Sequence, residues 1–231
     1  MTSFLSHTDD LLRGRLPAGG DAVGSAGRTA RVLPRLLLTV AVFGAFYGAT
    51  MGTFGGVRGD RPLQVLYSGL KVPMLLLVTF ALSLPSFFVL NTILGLRADF
   101  GRVLQALVET QAGLTVILAS LAPFTAFWYV SVGDYDAALT FNEGMFFVAS
   151  VTAQWILRRS YRPLIARDPR HRVLAWTWLV IYAFVGIQMA WVLRPFVGAP
   201  GSPVTFFRQG HAWENAYVHV AERAARTIGW K

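Results

Sequence analysis

LLLTVAVFGAFYGATMGTFGG, residues 36–56, decides the fold class. The stretch runs 21 residues without a charge. At about 1.5 Å per residue a helix of that length covers roughly 30 Å, the thickness of a bilayer's hydrocarbon core. Gly44, Gly48, Gly52 and Gly56 recur at steps of four, with Ala41, Ala45 and Ala49 alongside. Small residues on one ridge leave a groove into which another backbone can come close. This ridge is therefore a helix-packing interface, either within the chain or toward another copy or another subunit.

Composition agrees with a membrane class. Hydrophobic residues make up 54% of the 231 and charged ones 14%, outside the range of a soluble domain. The absence of cysteine excludes disulfides, thiolate metal sites, iron–sulfur clusters and thioether-linked haem. A net charge of +9 would fit nucleic acid, but most of the arginines stand at the ends of apolar segments. That placement fits lipid headgroups and topology, so no nucleic-acid partner is expected.

Outward from the first segment, four more spans are expected, near residues 74–96, 103–130, 139–157 and 173–193. Residues 1–35 form a tail with no apolar run long enough for a signal peptide, and Pro17 to Gly27 reads as a flexible linker. Residues 57–73 read as a connector whose Leu63 to Leu70 part lies along the interface, with Lys71 as an interfacial anchor. Beyond residue 197 comes an external linker, then an amphipathic helix. Trp213, Tyr217, Val220 and Ile228 fall on its apolar, membrane-surface face. Five spans place 13 Lys and Arg on the N-terminal side and 8 on the other. The positive-inside rule then puts the N-terminus in the cytoplasm and the C-terminus outside.

Polar residues inside spans are the candidate sites. Asn91, Glu109 and Gln154 lie at similar depth near the cytoplasmic leaflet and form an expected intramembrane polar cluster, able to bind a cation or to act structurally. Glu143 and Arg194 lie at matching depth on antiparallel neighbours and form an expected structural ion pair. The histidines, His7, His171, His211 and His219, fall outside the spans. No metal site, cofactor or catalytic residue is read from the sequence, because no set of ligands or nucleophile–base pair has suitable spacing.

YSGLKVPMLLLVTFALSLPSFFVLNTILGL and FVGIQMAWVLRPFVGAPGSPVTFF, within residues 66–208, are the most specific wording in the chain. They resemble a group of uncharacterised bacterial multi-spanning membrane proteins with a KVP–LPS–N–LLGL-like helix and a QMAW–LRPF-like helix end. More distantly, the span number and cytoplasmic N-terminus are similar to five-span Yip1-type proteins. The resemblance implies a bacterial five-span fold and transfers no active-site residue.

The sequence thus predicts an all-α polytopic membrane bundle of five spans (residues 36–197), a cytoplasmic tail (1–35) and an external amphipathic helix (198–231), in a bacterial inner membrane. Its expected role is non-enzymatic, as a subunit or scaffold in contact with lipids and with other membrane subunits or itself. The alternative is an oligomeric channel or carrier for an ion or small solute that uses Asn91, Glu109 and Gln154.

Overall fold

The computed structural model describes residue 9, residues 22–199 and residues 201–207, with side chains of the long segment described from Val32 onward. The expected surface helix with Trp213, Tyr217, Val220 and Ile228 lies outside the described residues. Five helices follow in order: α1 (Ala22–Gly52), α2 (Arg61–Ile93), α3 (Phe100–Ser131), α4 (Tyr135–Arg167) and α5 (Arg170–Leu193). A short 3-10 turn, Arg97–Asp99, precedes α3, and no strand occurs among the described residues.

Local chemistry sets the breaks. Gly55, Gly56 and Gly59 adopt positive φ after α1, and Pro62 then opens α2, where its missing N–H costs nothing. α2 ends in a Schellman motif. Gly95 has φ +74°, its N–H donates to the Thr92 carbonyl, and Leu96 N–H donates to the Asn91 carbonyl. Asp134 caps α4 by accepting from Ala137 N–H at 2.7 Å. α4 stops at Asp168–Pro169, where Asp168 turns back to bind Arg170 N–H at 2.9 Å.

α1 is the central element. One of its faces, Gly44, Gly48 and Gly52, packs on α2; the other, with Leu36, Val40, Tyr47 and Met51, is buried in the core. α1 packs extensively on both α2 and α3, α4 lies on α3, and α5 lies on α2. Every helix also exposes large apolar side chains: Phe46 on α1, Leu66 on α2, Phe127 on α3, Trp155 on α4, Val180 on α5. An outward apolar surface on all helices marks lipid contact rather than water contact.

Among the described residues, four helices are long and apolar enough to cross a membrane: Val32–Gly52, Arg61–Ile93, Arg97–Ser131 and Arg170–Leu193. α4, the expected fourth span, is not among them. Thr140, Asn142, Glu143, Ser150, Thr152 and Gln154 lower its hydropathy. Two further boundaries move. α1 begins at Ala22, inside the expected linker, and α2 begins at Arg61, so the expected interfacial segment is its first turns. Pro73 and Pro85 both lie within this continuous helix.

The helices run alternately between two ends. One end holds Gly52, Arg61, Ser131, Tyr135 and the chain after Leu193. The other holds Leu94–Arg102 and Arg158–Arg172, where Arg170 donates to the Leu94 carbonyl at 2.9 Å. These are the strap end and the arginine end below.

Candidate functional site: a strap held by one face of α2

Arg61, Gln64, Ser68 and Lys71 follow one another on α2 at steps of three, four and three, which places them on one helical face. Residues 194–199, just past α5, run along that face as an irregular strap. A strap has no helical partners for its carbonyls, so each needs another donor. Every carbonyl from Pro195 to Ala199 has one. Lys71 Nζ donates to Pro195 at 2.7 Å. Ser68 Oγ donates to Phe196, and Gln64 Nε2 reaches the same oxygen at 3.4 Å while holding Ser68 Oγ at 2.9 Å. Tyr135 of α4 donates to Val197 at 3.2 Å. Arg61 donates to Gly198 at 3.1 Å and to Ala199 at 3.4 Å, and reaches back to Phe54 at 3.4 Å.

Lys71 is fully buried, a correction to its expected role as a surface anchor. Its ammonium also lies 4.9 Å from the centre of the Phe206 ring, which packs edge-on against Tyr67. No carboxylate pairs with it among the described residues. A carbonyl dipole and an aromatic face thus supply its favourable contacts. Gly198 lets the strap lie this close, since a Cβ there would stand 2.8 Å from Gln64 Cγ and force that side chain to shift.

The glycine ridge packs on the same turns of α2, against Gln64, Val65, Ser68 and Gly69. A Cβ at Gly48 would lie 2.3 Å from the Ser68 carbonyl oxygen, and one at Gly52 would lie 2.5 Å from Val65 Cα. Gly44 is less tight, with Pro73 at 3.5 Å. Gly56 does not belong to the ridge. It sits in the turn with φ +93° and nothing within 4 Å of a Cβ, because α1 has already ended. The ridge is filled by α2 of the same chain.

A second buried network backs the strap. Tyr47 of α1 hydrogen-bonds Thr125 at 3.4 Å and donates to Asn142 Oδ1 at 3.2 Å, and Asn142 Nδ2 donates to Tyr129 and to the Ala138 carbonyl. Phe54 packs against Tyr129 and Tyr135. Between α3 and α4 on the outside runs an apolar groove lined by Trp128, Ala137, Thr140, Phe141, Gly144 and Met145.

The expected polar cluster does not form. Glu109 accepts from Gln105 Nε2 at 2.9 Å and from Ser160 Oγ at 3.0 Å. Gln154 reaches only the Ser150 carbonyl, at 3.5 Å. Asn91 is fully buried, and neither amide atom of its side chain has a partner. The three residues stand on three helices and share no hydrogen bond. Ser160 is not legible in the sequence as the partner of Glu109, because Arg158 and Arg159 read as the end of the fourth span; α4 continues to Arg167. Arg194 stacks its guanidinium on Trp191, 3.0 Å from the ring centre, and Glu143 is exposed on α4 one residue past buried Asn142.

At the arginine end, Asp99 binds Arg102 at 2.8 Å and buried His171 at 3.4 Å. Asp168 is held below the usual carboxylate range by the Arg170 side chain and then by the Arg170 backbone N–H. No group of three or more His, Asp or Glu among the described residues is placed to hold a metal. No family model, no curated protein and no solved structure matches this chain. What the strap site can do is therefore read from its own chemistry: its side chains donate to peptide carbonyls, which fixes backbone and activates no nucleophile.

Proposed function

We propose that the chain is a non-enzymatic integral membrane subunit or scaffold that crosses a bacterial inner membrane five times and assembles by close helix packing in a larger complex. Two features support α4 as the fifth crossing. Its N-terminus meets the strap at Val197 and its later turns meet Glu109 through Ser160, so it returns the chain across the full bundle. Asp136 and Arg158 also bracket 21 residues that contain one charge, Glu143. That length matches roughly 30 Å of hydrocarbon. The arginine end carries eight arginines against two aspartates over residues 97–102 and 158–172, which supports a cytoplasmic N-terminus and an external strap.

The assembly reading is carried by the groove between α3 and α4. The ridge on α1 is occupied internally, whereas a Cβ at Gly144 would meet nothing within 4 Å. Small residues Ala137, Thr140 and Gly144 there leave room for a partner helix. Extraction from native membranes in mild detergent tests this. The expected particle holds other chains at fixed stoichiometry, and Gly144→Leu releases them without lowering the melting temperature. A wild-type particle that is a lone monomer overturns the proposal. The channel or carrier alternative needs Asn91, Glu109 and Gln154 on one path, and Glu109→Gln with unchanged transport would remove it.

A further inference from the structure

The apolar bands of α4 and α5 do not lie at the same height. Heights follow by counting from printed neighbours along the helices. Tyr47 of α1 bonds Asn142 of α4, Gly44 of α1 faces Pro73 of α2, and Thr79 of α2 meets Gly186 of α5. On α4 the charges Asp136 and Arg158 bracket a band centred on Phe147, about level with Val42 of α1. On α5 the charges Arg172 and Arg194 bracket an uncharged band centred on Ala183, about level with Arg35. The centres differ by about seven residues, or roughly 10 Å along the bundle.

Exposure repeats the offset independently. The exposed apolar side chains of α4 are Phe147, Val148, Val151 and Trp155, and those of α5 are Val173, Trp176, Val180, Phe184 and Ile187. Their mean heights again differ by roughly 10 Å in the same direction. α4 and α5 touch little and are bridged by the other three helices. Membrane helices commonly sit at about 20° to the bilayer normal, so an oblique seat is ordinary for them.

We infer that the bilayer grips this bundle along an oblique belt, with the α5 side displaced toward the arginine end relative to the α4 side. The inference rests on the reading of α4 as a membrane crossing. In the tilted pose Arg158 of α4 and Arg172 of α5 fall in one plane, roughly 16 Å from the centre of each band. Both are exposed and neither bonds another described side chain, so the partner chemistry they fit is the phosphate layer of the lipid. On the α5 side the opposite edge of the belt falls at Arg194 and Lys71, where the strap begins.

The chain has no cysteine, so single-cysteine variants of the full protein report one position each. Val151→Cys, Trp155→Cys and Val180→Cys all replace exposed side chains. Each is labelled with a small fluorophore in phosphatidylcholine–phosphatidylglycerol vesicles, and its depth is read from quenching by nitroxides at defined acyl positions. The oblique belt places residues 151 and 180 together, about 5 Å from the midplane, with residue 155 about 7 Å farther out. An upright bundle instead pairs 180 with 155, because those two stand at nearly the same height, and that result overturns the inference. Quenching at 180 with none at 151 and 155 removes the crossing by α4 itself, a separate and distinguishable failure.

Discussion

The two ends of the bundle solve the problem of buried polar groups differently. At the strap end five consecutive carbonyls are each met by a side-chain donor, and the donors come from α2 and α4. Irregular backbone in a membrane protein is tolerated where protein supplies its hydrogen bonds, and here it does so residue by residue. At the arginine end the helices are joined by tight turns whose backbone bonds are made, yet several buried side-chain atoms have no partner: both amide atoms of Asn91, Tyr161 OH, His171 Nδ1 and Arg102 Nε. At the first end the strap's backbone is closed by complementary hydrogen bonding, although Trp128 Nε1 nearby is buried without a partner. The second is defined by turns and charge, and its buried polar atoms add cost rather than cohesion.

The sharpest way to break the strap end is to push α1 away from α2. Gly48→Leu sets a Cβ 2.3 Å from a backbone oxygen, which no rotamer relieves. The expected loss is about 3 kcal/mol or more. Gly56→Ala is the control. It meets no atom but must hold φ +93°, so it costs about 1–2 kcal/mol. Thermal unfolding in lipid nanodiscs separates the two, and equal effects would mean that α1 and α2 are not in contact.

The strap itself is tested by Lys71→Ala. The substitution leaves the Pro195 carbonyl without a donor and removes the contact with Phe206. Losing a hydrogen bond to a charged group costs about 2 kcal/mol. Strap opening should rise roughly 30-fold, read as proteinase K cleavage within residues 195–199. Unchanged cleavage would show that Arg61, Gln64 and Ser68 hold the strap without Lys71.

At the arginine end the sign reverses. Asn91 buries an amide with no hydrogen bond, and Leu keeps its branched four-heavy-atom outline while removing both polar atoms, so Asn91→Leu is expected to stabilise the fold by about 1 kcal/mol. A rise in melting temperature supports the contrast between the ends. A fall would mean that Asn91 has a partner when the protein is in a membrane.

The contrast also explains what sequence could and could not reveal. Residues 36–56 announce a membrane helix because hydropathy and the four-residue glycine step are local properties. The expected 103–130 span lies close to α3, Phe100–Ser131, for the same reason. The strap joins residues 128 positions apart, Ser68 and Phe196, so no local pattern encodes it. Its local trace is the 3-4-3 spacing of Arg61, Gln64, Ser68 and Lys71, which shows as one helical face only once those turns are known to be helix rather than connector. The two most specific stretches of wording turn out to touch, through Ser68 with Phe196, Lys71 with Pro195 and Tyr67 with Phe206. Asn91, Glu109 and Gln154 share a depth in the sequence, but depth fixes height on a helix and not the direction in which a side chain points.

The smallest effect belongs to the turn between α4 and α5. Asp168 accepts from the Arg170 backbone at 2.9 Å and from its guanidinium at 3.1 and 3.2 Å, and these bonds hold its carboxyl below the usual range. A carboxyl with a depressed folded-state pKa stabilises the fold above its unfolded value, and that contribution disappears as pH falls through the folded value. Wild type should therefore melt slightly higher than Asp168→Asn at neutral pH, and the two should converge in acid as the carboxyl protonates. Asp168 is partly exposed and Arg170 largely so, which lets solvent screen the pair, so the gap should shrink as salt is added. A gap that persists below the folded pKa would assign the role of Asp168 to its side-chain shape at the turn rather than to its charge.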